Sequence, residues 1–190
     1  MKRIILFTAL TVIFLSAFSQ SYNDDFVGTW VYEKNDTVFK IKLQKGHTTY
    51  PGTGKSRETL VGGYSLSIKG IIQDDYIRPI LDLPTIQYSK LPDYNIFIWG
   101  EYSNPKEPNY TAFRFYDMKK KHIFGTGISA NSMTLLSPTK LHWKLDEKQG
   151  LWWEFEGEII GDEEEIKRIE EESKPRGFSV PEDVIMTKER

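Results

Sequence analysis

Along most of this chain, apolar and polar residues alternate in short runs separated by turn residues. A period of two puts successive side chains on opposite faces of an extended backbone, so each run reads as a half-buried strand. In residues 26–32, Phe26, Gly28, Trp30 and Tyr32 share one face, and Val27, Thr29 and Val31 share the other. A glycine lets another backbone come close, and an indole two positions on fills the space beside it. Gly28 and Trp30 are therefore expected to form the closed end of a small barrel. The turn Lys34-Asn35-Asp36 leads into residues 37–44, where Phe39, Ile41 and Leu43 face away from Lys40 and Lys42. The two runs are expected to form a hairpin. Residues 46–56 read as a polar loop. Residues 59–69 carry Leu60, Gly62, Tyr64, Leu66 and Ile68 in step, and Gly62-Gly63 marks a bulge or bend of the kind that turns barrel corners.

Residues 74–92 hold Pro79, Pro84 and Pro92 among apolar side chains, and read as irregular: a short helix over an opening, or a lid. Further strands are expected at 94–102, 111–116, 122–128, 130–136 and 140–145, the last paired with 151–160 through the turn 146–150. Residues 162–173 place acids first and Lys167 and Arg168 after them, as a short surface helix prefers. A closing strand, 178–188, has Pro181 near its start, which implies an edge position or the first residues of pairing. The 14% aromatic content, with many Thr, Val and Ile, also favours strands. The whole reads as an all-β antiparallel barrel or two-sheet sandwich of about eight to ten strands, with one short C-terminal helix before the last strand.

The first residues have a different character. Lys2 and Arg3 precede an apolar run over residues 4–18, and Ala17-Phe18-Ser19 fits the small-x-small rule for cleavage before Gln20. Residues 1–19 are expected to be a signal peptide, and residues 20–190 one exported domain in the periplasm, on the outer surface or outside the cell. No further run is long enough for a membrane-spanning helix. The chain has no cysteine, so lipid attachment to cysteine, disulfides and thiol chemistry are ruled out. Removing Lys2 and Arg3 takes the formal charge from −2 to −4, which does not suit a nucleic-acid partner.

Phe26-x-Gly28-x-Trp30 on the first strand after a signal peptide resembles the opening motif of the lipocalins and related calycin barrels. A helix before the final strand is similar to their layout. In the lipocalins an arginine on a late strand lies over the first-strand tryptophan. Here Arg176 precedes the last expected strand and Arg190 ends the chain, and neither is assigned that place. The sequence is also similar to lipocalin-like domains of unknown function in secreted bacterial proteins, through Gly28-Thr29-Trp30 and through residues 178–186. These resemblances imply a fold and no activity.

The patterns that carry chemistry are sparse. Pro51-Gly52-Thr53-Gly54-Lys55-Ser56 ends like a phosphate loop but has Thr49 where the leading glycine belongs, and a strand follows it. His47, His122 and His142 lack metal-ligand spacing, and no serine sits in a nucleophile motif. Glu154, Glu156 and Glu158 share one face opposite Trp153, Phe155 and Ile159. They read as the wet side of a strand, or alternatively as acid and base of a carbohydrate-active enzyme. Asp162 to Glu165 lack the spacing of a calcium loop. No catalytic residue, metal or cofactor is expected.

The aromatic side chains Trp99, Trp143, Trp153, Tyr64 and Tyr102 are the candidates to line an interior site. A barrel of about eight strands is either filled by its own side chains or holds one small ligand. The leading expectation is a monomeric, non-enzymatic barrel that binds a small apolar or amphipathic ligand or an envelope protein. The alternatives are a cell-envelope interaction module with a filled core and the glutamate-based enzyme.

Overall fold

The structure is a computed structural model that describes residues 24–49, 56–77, 86–87, 95–103, 106–121, 127–150, 162–172 and 174–190. Its strands are β1 (Gly28–Lys34), β2 (Thr37–Thr49), β3 (Ser56–Ile68), β4 (Ile71–Asp75), β5 (Ile86–Gln87), β6 (Ile98–Ser103), β7 (Tyr110–Phe115), β8 (Ile128–Ser137), β9 (Lys140–Lys144) and β10 (Asp183–Lys188). Among the described residues two helices, α1 (Glu147–Gly150) and α2 (Glu163–Glu172), lie between β9 and β10.

Eight strands close on themselves in the order β3, β6, β7, β8, β9, β10, β1, β2, and back to β3. All eight pairings are antiparallel. The architecture is thus the expected all-β antiparallel barrel, with a short helix before the final strand. β4 adds to the far edge of β3, and the two-residue β5 pairs in parallel with the end of β2.

The alternation in the sequence sets which face looks inward. Phe39, Ile41 and Leu43 of β2, Leu60, Tyr64 and Leu66 of β3, and Leu141 and Trp143 of β9 are all buried in one core, while Lys42, Lys140 and Lys144 are exposed. Asn35 and Asp36 take positive φ values of 49° and 61° in the β1–β2 turn, and Lys69 and Gly70 do so in the β3–β4 turn at 52° and 74°. Two-residue hairpins with the twist of their strands require this conformation. The glycine pair in β3 admits its neighbours. A Cβ on Gly62 would run into the Lys42 carbonyl oxygen, and one on Gly63 into that of Tyr76.

Several boundaries differ from those the residue pattern suggests. Phe26 sits in a 3-10 turn, Asp24–Phe26, and not on β1, although its ring is still buried. β2 and β3 run through half of the expected loop, with Thr49 paired to Ser56, because backbone pairing needs no apolar side chain. β4 begins before the segment read as irregular and takes in its first two residues, Asp74 and Asp75. Asn95 is left-handed, with φ 57°, so β6 begins only at Ile98. β9 is paired along its whole length with β8 on one side and β10 on the other, so both its edges are taken. This overturns the hairpin expected between 140–145 and 151–160, whose second member lies outside the described residues. Most of the expected strand 122–128 lies outside them too. β10 begins two residues after Pro181 and is flanked by β9 and β1, so the proline precedes the pairing and the strand is not an edge.

Candidate functional site

The barrel's middle is built around Trp143. Its place in β9, between exposed Lys144 and half-buried His142, turns the indole inward. Ring centroids of Phe113, Phe115 and Phe39 lie 4.5, 5.5 and 5.6 Å from it. Phe39 comes from β2 and the other two from β7, so the indole meets rings from both sides of the barrel. Its Nε1–H donates to the Pro181 carbonyl at 3.1 Å. Tyr64 joins the same cluster through Phe115 at 5.1 Å, and also touches Tyr76 and Phe97. Its hydroxyl accepts the Met118 N–H at 3.1 Å. Burial pushes the Tyr64 phenol well above the ordinary tyrosine value, and Tyr76 is shifted in the same direction for the same reason.

The structure therefore brings together two of the five aromatic candidates, Trp143 and Tyr64. Trp99 is buried, but it is paired with Val61 on the strand face opposite Ile98, apart from the main core. The side chain of Tyr102 and all of Trp153 lie outside the described residues, as do His122, Glu154, Glu156, Glu158 and nearly all of the 51–56 loop.

Trp30 lies near the start of β1, at one end of the barrel. The indole is fully buried and its Nε1–H donates to the Phe26 carbonyl at 2.8 Å, which fixes the 3-10 turn beneath it. Gly28 has φ 134°, a conformation that favours glycine, and a Cβ there would meet Lys188 Cε at 2.8 Å. Lys188 lies directly across from Trp30 in the β1–β10 register. Its Nζ is 5.1 Å from the ring centroid and donates to the Asp25 carbonyl at 3.1 Å. Lys188 thus lies over the first-strand indole, where the sequence reading looks for an arginine. Sequence reading missed it by looking for arginine alone; any base on the last strand was the signal. Arg176 is at the other end, donating to the carbonyls of Lys120 and Glu171.

At that other end lies the segment before β10. Asp117, fully buried, accepts four hydrogen bonds: from the N–H groups of Lys119 at 2.9 Å, Lys120 at 3.2 Å and Ser179 at 2.6 Å, and from the Ser179 hydroxyl at 2.9 Å. Glu147 of α1 accepts the N–H groups of Arg176 at 2.5 Å and Gly177 at 2.9 Å. Phe178 then rests on Phe115 at 5.9 Å. Asp74, almost wholly buried, pairs with Lys119 Nζ at 2.9 Å. These carboxylates hold backbone and a lysine in place. Asp117 was not singled out from the sequence, where an aspartate before a lysine turn is an ordinary turn starter.

His47 is exposed, and the His142 ring pairs with Asp183 at 2.7 Å, half exposed on the outer wall. Among the described residues no group of three or more His, Asp or Glu side chains could hold a metal. No helix among them is long and apolar enough to cross a membrane. A groove of about 240 Å³ lies on the outside, between β2, β3 and β4, lined by Val38, Lys40, Ser65, Ser67, Ile72 and Asp75 among others.

The chain belongs to a family of unknown function (DUF6705), whose family model matches residues 1–189. No curated protein and no solved structure matches it.

Proposed function

We propose that this barrel is an exported, non-catalytic module of the cell envelope that works through its outer surface. The observation that carries the reading is Trp143 in contact with Phe39 and Phe113 at once. Rings that meet across the middle of an eight-stranded barrel take up the volume a small ligand would need. The carboxylates at the far end support the same reading, because Asp117 spends its oxygens on four donors and so has little capacity left for acid–base chemistry. The apolar-ligand reading draws on the same rings and requires them to move apart. Export rests on residues 1–19, and mass measurement of the protein secreted by its own host is expected to give a chain beginning at Gln20.

Native mass spectrometry of the protein from that host, with titration of a hydrophobic dye, tests the filled interior. The expected result is the bare chain mass and no saturable dye site. A retained small molecule that contacts Trp143 would replace this reading by the ligand-binding one.

A further inference from the structure

The described surface holds five large hydrophobic side chains that are exposed, and three of them sit on one hairpin tip. Ile68, Ile71 and Ile72 are 41%, 66% and 68% exposed. They flank the Lys69-Gly70 turn between β3 and β4. Ile68 and Ile71 are register partners, while Ile72 follows Ile71 along the strand and is paired with Ser67. Neighbouring residues on a strand point to opposite faces, so both faces of the tip are apolar. Among the described residues β4 also lies at the end of the strand order, with β3 as its only neighbour there.

We propose that this tip docks on a lipid surface; the inference rests on the surface-acting reading above and names its partner. Two features favour lipid over a protein. A protein patch covers one face of a hairpin, whereas the two faces here are exposed together and are covered together only by a medium that surrounds the tip. Three isoleucine side chains also fall far short of the roughly 1,200 Å² that a stable protein interface buries, while partition into a bilayer has no such threshold. Lys69 sets the depth. It is exposed at the turn, where its amine would meet the lipid phosphates and keep the tip at the boundary between headgroups and acyl chains. The neighbouring β1–β2 turn, tied to this one by the Lys69 N–H to the Asp36 carbonyl at 2.8 Å, carries exposed Glu33, Lys34 and Asp36 and remains in water.

The absence of cysteine makes the test clean. The mature chain, and its I71C and I72C variants labelled with an environment-sensitive dye, are mixed with vesicles of phosphatidylethanolamine and phosphatidylglycerol at 3:1. The expected results are co-flotation of the unlabelled protein, a blue shift and gain in intensity at both positions, and a tenfold or greater loss of flotation in I71S/I72S with its melting temperature kept. No flotation of the unlabelled protein, a shift at one position only, or undiminished flotation of I71S/I72S would each overturn the proposal. None of these outcomes bears on the filled interior, which the dye and mass measurements test separately.

Discussion

Trp143 and Tyr64 carry the interior at the level of single side chains. Truncating a fully buried aromatic removes its transfer free energy and leaves a cavity, so Trp143→Ala is expected to cost about 3–5 kcal/mol in chemical denaturation, with the denaturant slope little changed. A loss under about 1 kcal/mol would mean that the rings do not pack as described. Tyr64 links the core to pH. Its phenol is held protonated in the fold by burial, above the ordinary value of 10.0 that it regains on unfolding. A folded pKa raised in this way leaves stability untouched below pH 10. Stability then falls as pH rises past 10, because the unfolded chain releases a proton that the fold retains. Alkaline unfolding should therefore appear with phenolate absorbance in one step. Tyr64→Phe should shallow that slope while costing about 1 kcal/mol at neutral pH, since the Met118 N–H loses its acceptor. An unchanged slope would assign the effect to other groups, Tyr76 first among them.

Among the elements, β3 and the segment before β10 are the most constrained. β3 meets β2 along its whole length and also takes β4 and β6 on its other side, and Gly62 and Gly63 make that possible. Gly63→Ala is expected to cost about 3 kcal/mol or more, because its methyl group meets rigid backbone at Tyr76. Gly70→Ala, in the open β3–β4 turn with nothing within 4 Å, should cost only the strain of its positive φ, about 1 kcal/mol. Thermal melts of the two variants check the contrast, and equal losses would contradict the close approach. At the far end, Asp117→Asn sets an amide N–H₂ against backbone N–H donors. The expected result is a loss of about 1.5–3 kcal/mol and faster hydrogen exchange at Ser179, with the Trp30 end unaffected. The sequence made β2, β7 and β9 legible through Phe39, Phe113 and Trp143, because alternation alone chooses their inner face. It hid β4, since Ile71-Ile72 interrupts alternation. It also hid Asp117, whose role depends on Ser179, 62 residues away.

For the molecule as a whole, one core cluster runs from Phe26 to Met186 and draws on all eight barrel strands. A single cooperative unfolding transition is expected, with tryptophan fluorescence and far-ultraviolet dichroism coincident. Two separated transitions would show that an end of the barrel opens by itself. The amino-acid sequence by itself settled the strand character and the inward faces, because these follow from periodicity and side-chain size within a few residues. Only the tertiary structure decided that Lys188 covers Trp30, that β9 has β8 and β10 on its two sides, and that Trp143 meets Phe39 across the interior. Those contacts join residues far apart in the chain. A closed sheet fixes them through its register and shear, which no local pattern encodes.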